Sequence, residues 1–233
     1  MKEVLIKEYN NLKNLRIVPK EDDFLYNIHF VNGAFCEIRG AEDTEFRIEF
    51  IDKKTNKHLH FHDISNNMWT RTNAKYFIDY LIKIKNKDTG EVIHECEYNA
   101  KGKRVMICFD SKAIGDTLAW FPYVEEFRKK HQCEVIVSTF HNEWFKGNYP
   151  NLEFIEPGDT AYNLYARYDV GWYYNEADYE ENNTINLDQV PTDFRKGPLG
   201  KTCSDVLGLD YKEIKPKLTF KNTGPTIEGD YVV

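Results

Sequence analysis

Hydrophobic positions follow two different periods along this chain. From about residue 20 to 100 they alternate. Phe24, Tyr26, Ile28 and Phe30 recur at every second position, the pattern of a half-buried strand. Asn32-Gly33, a hairpin signal, leads into a returning stretch over Ala34–Ile38. Phe46, Ile48 and Phe50 share one face of Thr44–Ile51. Tyr76, Ile78, Tyr80, Ile82 and Ile84 form the longest alternating stretch. Asp88-Thr89-Gly90 turns it into Glu91–Tyr98, where Val92, His94, Cys96 and Tyr98 share a face. At least five strands at short spacing predict a small antiparallel sandwich or barrel.

After Gly102 the alternation stops. Arg104–Phe109 is a continuous apolar run, as expected of a strand covered on both faces. A loop over Asp110–Thr117 follows, then a helix in which Leu118, Phe121, Val124 and Phe127 recur every three residues. Pro122 in its first turns and Lys129-Lys130 near its end are compatible with that helix. Glu134–Thr139 is a second apolar strand, so the unit reads as a right-handed strand–helix–strand crossover. Leu152–Glu156 and Tyr168–Trp172 read as further strands, and Asn175–Phe194 as a polar loop. Gly197–Leu209 reads as a helix with Leu199, Cys203, Val206 and Leu207 buried and Gly208 at its end. Gly229–Val233 looks like a turn entering another strand, which predicts that the sequence is an N-terminal portion of a longer protein.

Composition narrows the function classes. Hydrophobic residues make up 41% of the 233 residues and aromatics 15%, which excludes a disordered chain. The net charge of −7 speaks against a nucleic-acid partner, since phosphate contacts call for a basic face. No apolar run approaches the ~18 residues of a membrane span. The run near Met1 breaks after Val4-Leu5-Ile6, short of the ~7–15 of a secretory signal, so a cytoplasmic location is expected. The five cysteines, Cys36, Cys96, Cys108, Cys133 and Cys203, include no CxxC pair and read as buried free thiols.

The loop after the first apolar strand is the strongest candidate site. Open α/β sheets gather ligands at the carboxyl ends of their strands, and helix N-termini there favour anions. The loop carries Asp110, Ser111, Lys112, Gly115, Asp116 and Thr117 but no GxGxxG or GxxxxGK(S/T) phosphate fingerprint. Asp116, at the predicted helix start, is either an N-cap or a carboxylate that takes a proton from a substrate hydroxyl. Lys112 is either a phosphate ligand or a solvated loop lysine. Trp172-Tyr173-Tyr174, with Tyr162, Tyr165 and Tyr168 before them, either line an acceptor groove or pack at a strand end. His58, His60 and His62 would share a strand face, where they either seat a metal or form a polar outer surface. No metal site is assigned.

The run Phe109–Phe127, with Gly115-Asp116 and then Pro122, resembles the autotransporter strand-loop-strand O-heptosyltransferases, relatives of the lipopolysaccharide heptosyltransferases of glycosyltransferase family 9. Val137–Asn142, Tyr149-Pro150, Phe154–Gly158, Pro198-Leu199 and Ser204–Tyr211 are similar in order and spacing, so the resemblance spans roughly 20–233. It implies an α+β chain. An N-terminal antiparallel β domain over 1–102 would stand before a Rossmann-like, acceptor-side half of a GT-B fold over 103–225. Residues 226–233 would begin the C-terminal nucleotide-sugar domain, otherwise missing. It also implies transfer of heptose from ADP-heptose, with inversion, to serine hydroxyls of an autotransporter adhesin. Asp116 would be the general base and Asp110 the fallback. Ser111, Lys112, Gly115, Thr117, Trp172 and Tyr173 would contact substrate. No cofactor is expected in this portion, and any iron would sit with the missing cysteines. The portion alone would be inactive, and a homo-oligomer stays open. The rival readings are another family 9 transferase with a glycan or lipid-linked acceptor, and a non-catalytic adhesin-binding module.

Overall fold

The computed structural model describes residues 5–8, 23–40, 43–175 and 184–219. Eight strands come first: β1 (Leu5–Glu8), β2 (Asp23–Val31), β3 (Phe35–Arg39), β4 (Glu45–Asp52), β5 (Lys57–Ser65), β6 (Met68–Arg71), β7 (Tyr80–Asn86) and β8 (Val92–Glu97). They are followed by β9 (Arg104–Phe109), α1 (Ile114–His131), β10 (Glu134–Ser138), β11 (Leu152–Ile155), β12 (Leu164–Val170) and α2 (Leu199–Val206). The predicted strand over Gly229–Val233, and 226–233 as a whole, lie outside the described residues. Among the described residues no helix is long and apolar enough to cross a membrane.

Strand pairing joins what the two periods separate. β4, β5, β7 and β8 form an antiparallel sheet in the order β5-β4-β7-β8. The other strands build an eight-stranded sheet, β11-β10-β9-β12-β2-β3-β6, with β1 beside β2. β9 to β12 pair in parallel, and β2 pairs in parallel with β12 through Phe30–Ala166 and Val31–Arg167. β2, β3 and β6 then continue antiparallel. One sheet runs on across residue 102. The strands before residue 102 divide between two sheets, one of them shared with the α/β part. The inner faces of β2 and β3 (Tyr26, Ile28, Cys36, Ile38) and of β4 and β7 (Phe46, Ile48, Phe50, Ile82, Ile84) belong to one apolar core, together with α1 and α2.

Local chemistry explains where the predicted elements hold and where they shift. Asn32 and Gly33 take positive φ angles, 59° and 100°, and a Cβ on Gly33 would lie 2.3 Å from the Thr72 carbonyl oxygen. The turn is pinned there because the Ala34 N–H donates to Thr72 Oγ1 at 3.0 Å. The long alternating stretch from Tyr76 becomes a strand only at Tyr80. The Lys75 and Phe77 N–H groups donate instead to the carbonyls of Asp188 and Val206. In β8 the extra residue Ile93 falls between the pairs Ile84–His94 and Lys85–Val92, so Val92 leaves the face of His94 and Cys96 and is 43% exposed.

α1 buries Thr117, Trp120, Phe121, Val124 and Phe127 on the sheet. Phe121 stacks on Phe145 with ring centres 3.6 Å apart. Gln132 closes the helix in the left-handed region, after the basic run Arg128–His131, which suits the negative end of the helix. α2 starts at Leu199, two positions later than predicted, with Pro198 before it. Leu199 is 45% exposed rather than buried, while its carbonyl accepts the Trp120 indole N–H at 2.9 Å. Gly208 ends the element as predicted, with φ of 61° and the Phe77 ring where a Cβ would go. Cys36, Cys108, Cys133 and Cys203 are buried free thiols, and Cys96 is half-buried.

Two expectations for stability follow from this packing. Gly33→Ala should cost about 1–3 kcal/mol, because a side chain there meets both backbone strain and the Thr72 carbonyl; urea unfolding of the variant checks it. His131 packs on Phe77, Tyr98 and Phe127, and burial, helped by Lys130, lowers its pKa to about 4. The unfolded chain takes up that proton near the ordinary value of about 6.5. The stabilising contribution is therefore full above about pH 6.5 and is lost as pH falls towards 4. His131→Phe should flatten that part of the acid limb in unfolding midpoints measured across the range.

Candidate functional site

Three chain segments leave the sheet at the carboxyl ends of β9, β10 and β12, and they meet around two aspartates. The Asp110 N–H donates to the Val170 carbonyl at 2.9 Å, carrying the pairing one residue past the strands. The loop then folds over Ser111. Its hydroxyl accepts the Ala113 N–H at 3.1 Å and donates to Asp116 Oδ2 at 2.6 Å.

Asp116 is therefore not the N-cap. Ala113 occupies that position, without a side-chain cap, and Asp116 is the third residue of the helix. The helix begins earlier than the apolar repeat suggests because the Ser111 turn delivers Ala113 directly into it. Asp116 is only 8% exposed, a position where a carboxylate needs donors. A second donor comes from the segment after β12: the Trp172 indole Nε1–H reaches the same Oδ2 at 2.7 Å. The Trp172 ring is held between Trp120, at 5.3 Å, and Phe194, at 4.8 Å. Among the described residues no donor bonds Oδ1.

Asp110 is held differently. The Tyr173 hydroxyl donates to Asp110 Oδ2. Burial, and then the Asp110 carboxylate itself, push the Tyr173 phenol far above its ordinary pKa. The turn that brings Trp172 and Tyr173 back over the loop needs a small residue. A Cβ on Gly171 would lie 3.0 Å from the Tyr173 ring and 3.1 Å from Asp110 Cβ. Beneath them, burial raises the Asp169 carboxyl, opposed by Arg167, whose Nε lies 2.9 Å from Asp169 Oδ1. Cys108 is pushed up to about 12, chiefly by burial, which makes it a poor nucleophile.

The remaining predicted residues divide. Lys112 is exposed, with its ammonium 5.2 Å from the Phe140 ring centre, and the His141 ring lies 3.0 Å from the Lys112 carbonyl. Gly115 sits exposed with open space around it. Thr117 does not belong to the surface: it is fully buried, and its hydroxyl donates to the Ala113 carbonyl at 3.2 Å. Phe140, His141 and Asn142 form the β10 side of the site. Asn142 Oδ1 accepts from the Thr139 N–H and hydroxyl, at 3.0 and 3.1 Å, and Nδ2 donates to the Ile155 carbonyl at 2.8 Å. These residues and Phe194 were not singled out from the sequence as site residues. The available signal was position, since the β10 loop ends at the same sheet edge. His58, His60 and His62 are exposed on β5, with His62 Nδ1 3.1 Å from Thr70 Oγ1. Among the described residues no group of three or more His, Cys, Asp or Glu is placed to hold a metal.

Comparison with known proteins gives this arrangement a context. No protein-family model matches the chain. The autotransporter heptosyltransferase Aah of Escherichia coli is 29% identical over 177 residues, 75% of this chain and 43% of that protein. The crystal structure of the iron-containing dodecameric glycosyltransferase TibC from enterotoxigenic E. coli superposes with a TM-score of 0.72 at 22% identity, over 91% of this chain and 53% of that one. A second TibC structure, in complex with ADP-D-β-D-heptose, gives the same TM-score.

The chain resembles the N-terminal portion of an autotransporter heptosyltransferase. It spans between 41% and 48% of the length of the curated relatives it matches. One of these, BimC of Burkholderia thailandensis, is named an inactive autotransporter heptosyltransferase and is 24% identical over 193 residues. The TibC likeness is a likeness of fold, and it covers both the strands before residue 102 and the α/β part after it.

Proposed function

We propose that this chain forms the acceptor-side half of a GT-B heptosyltransferase that glycosylates serine hydroxyls of an autotransporter adhesin, with ADP-heptose as donor. The observation that carries the reading is the Asp116 carboxylate: nearly buried at the carboxyl edge of parallel strands, with Oδ2 bonded by Ser111 and Trp172 and, among the described residues, no donor on Oδ1. The names of the relatives supply the donor and acceptor classes.

In this reading the serine oxygen attacks the anomeric carbon as the bond from that carbon to the diphosphate breaks. ADP leaves with the electron pair, the serine proton passes to Asp116 Oδ1, and the anomeric configuration inverts. Asp110, exposed and accepting from the Tyr173 hydroxyl, is the second candidate. Lys112, exposed at the rim, would approach the diphosphate. The 103–225 segment would be the Rossmann-like unit, with 1–102 as the β domain before it and 226–233 the beginning of the nucleotide-sugar domain. TibC is iron-containing, but the described residues do not fit such a centre, and no step here involves iron. A cytoplasmic homo-oligomer is the expected form, by analogy with the dodecameric TibC. The name of BimC keeps a second reading in play, a non-catalytic adhesin-binding module.

The test uses the full reading frame that contains this chain, incubated with ADP-heptose and an adhesin passenger. The passenger should gain mass in heptose steps, and the isolated 233-residue chain should transfer nothing. Asp116→Asn should lower kcat about 10²–10⁴-fold, and Asp110→Asn much less. A wild-type rate for Asp116→Asn would remove Asp116 as the base. Tight passenger binding without transfer by the unsubstituted enzyme would favour the binding module.

A further inference from the structure

The two donors on Asp116 converge on a single oxygen. Ser111 Oγ and Trp172 Nε1 both bond Oδ2, at 2.6 and 2.7 Å. Neither contact is incidental to the loop. The Ser111 hydroxyl accepts the Ala113 N–H, which directs its own proton towards Asp116. The indole N–H is a donor only, so it cannot trade roles with the carboxylate. Its ring is fixed by Trp120 on one side and Phe194 on the other, and the Trp120 N–H is tied in turn to the Leu199 carbonyl. A continuous set of contacts thus runs from the start of α2 through Trp120 and Trp172 to the carboxylate.

We propose that Trp172 is a positioning residue: with Ser111 it clamps Oδ2 of Asp116 so that Oδ1 is the oxygen that receives the acceptor proton. The inference rests on the reading of Asp116 as the base, and it removes Trp172 and Ser111 from direct substrate contact. The serine proton moves to Oδ1 as the serine–heptose bond forms and the heptose–diphosphate bond breaks. The clamp itself transfers no proton. It holds the carboxylate plane against rotation, which matters because a small misplacement of a reacting group costs rate more than binding.

Two measurements separate the clamp from the assignment of the base. In ¹H–¹⁵N spectra of the protein, the Trp172 indole signal, identified by its loss in Trp172→Phe, should shift upfield in Asp116→Asn. An unmoved signal would remove the hydrogen bond and the proposal with it. In the full reading frame, Trp172→Phe keeps a ring of similar shape without the donor. It should lower kcat and kcat/KM together, between about tenfold and a hundredfold, with KM for donor and passenger unchanged. Ser111→Ala should do the same to a smaller degree, and Ser111→Thr, which keeps a hydroxyl, should restore the rate. A raised KM at unchanged kcat in Trp172→Phe would make the tryptophan a substrate contact and overturn the proposal. An unchanged rate would overturn it as well. Full activity in Asp116→Asn alongside a shifted indole signal would instead sink the assignment of the base and leave the hydrogen bond standing. No transfer by the unsubstituted enzyme would overturn both.

Discussion

β12 pairs in parallel with β9 along its length and with β2 at Ala166 and Arg167, and that two-sided contact organises the molecule. A strand pinned on both sides cannot slip by one residue without turning its buried side chains to the wrong face. Ala166, Tyr168 and Val170 therefore stay in the core shared with both helices, while Arg167 and Asp169 point to the opposite face. Through β2 the same strand carries the antiparallel strands, and through the core between the sheets it holds β4 and β7 as well. The chain segment that leaves β12, Gly171-Trp172-Tyr173, is delivered to one fixed place, above the loop that leaves β9. The candidate site is thus a consequence of sheet register.

Much of this was legible in the sequence, because burial imposes its period on side chains. The alternation of Phe46, Ile48 and Phe50 and the continuous run Arg104–Phe109 mark a half-covered and a fully covered strand, and both are found. The α1 stripe and Gly208 are found as well. What could not be read is pairing between distant strands. Nothing in the sequence of β2 says that its end lies beside β12, since a two-residue parallel contact leaves no periodic trace. The interruption at Tyr76–Asp79 was hidden for a related reason: those residues alternate like a strand, but the Phe77 N–H goes to the Val206 carbonyl and that of the preceding Lys75 to Asp188. At the site, the loop and its carboxylates could be located from the strand–loop–helix pattern alone. The role of Asp116 could not, because the Ser111 turn places the cap three residues earlier, at Ala113. Thr117 looked like a loop residue for the same reason and is buried, since the helix has already begun before it.

The two loop aspartates illustrate how neighbours divide the labour of similar groups. Asp110 faces a phenol whose proton is held far above the ordinary range, so its partner stays a neutral donor and keeps one oxygen engaged. Asp116 faces an indole, which has no acid–base chemistry in water, and a hydroxyl whose direction is set by a backbone N–H. Neither donor titrates in water, so each remains able to anchor Oδ2 as pH changes. One oxygen is anchored by groups that do not titrate in water, and among the described residues no donor bonds the other. Asp110, with Tyr173 on it and the partly desolvated Asp169 nearby, suits a structural role in closing the β9 and β12 loops together. The distinction arises from the order Trp172-Tyr173 at the end of β12. That dipeptide aligns one donor with each carboxylate.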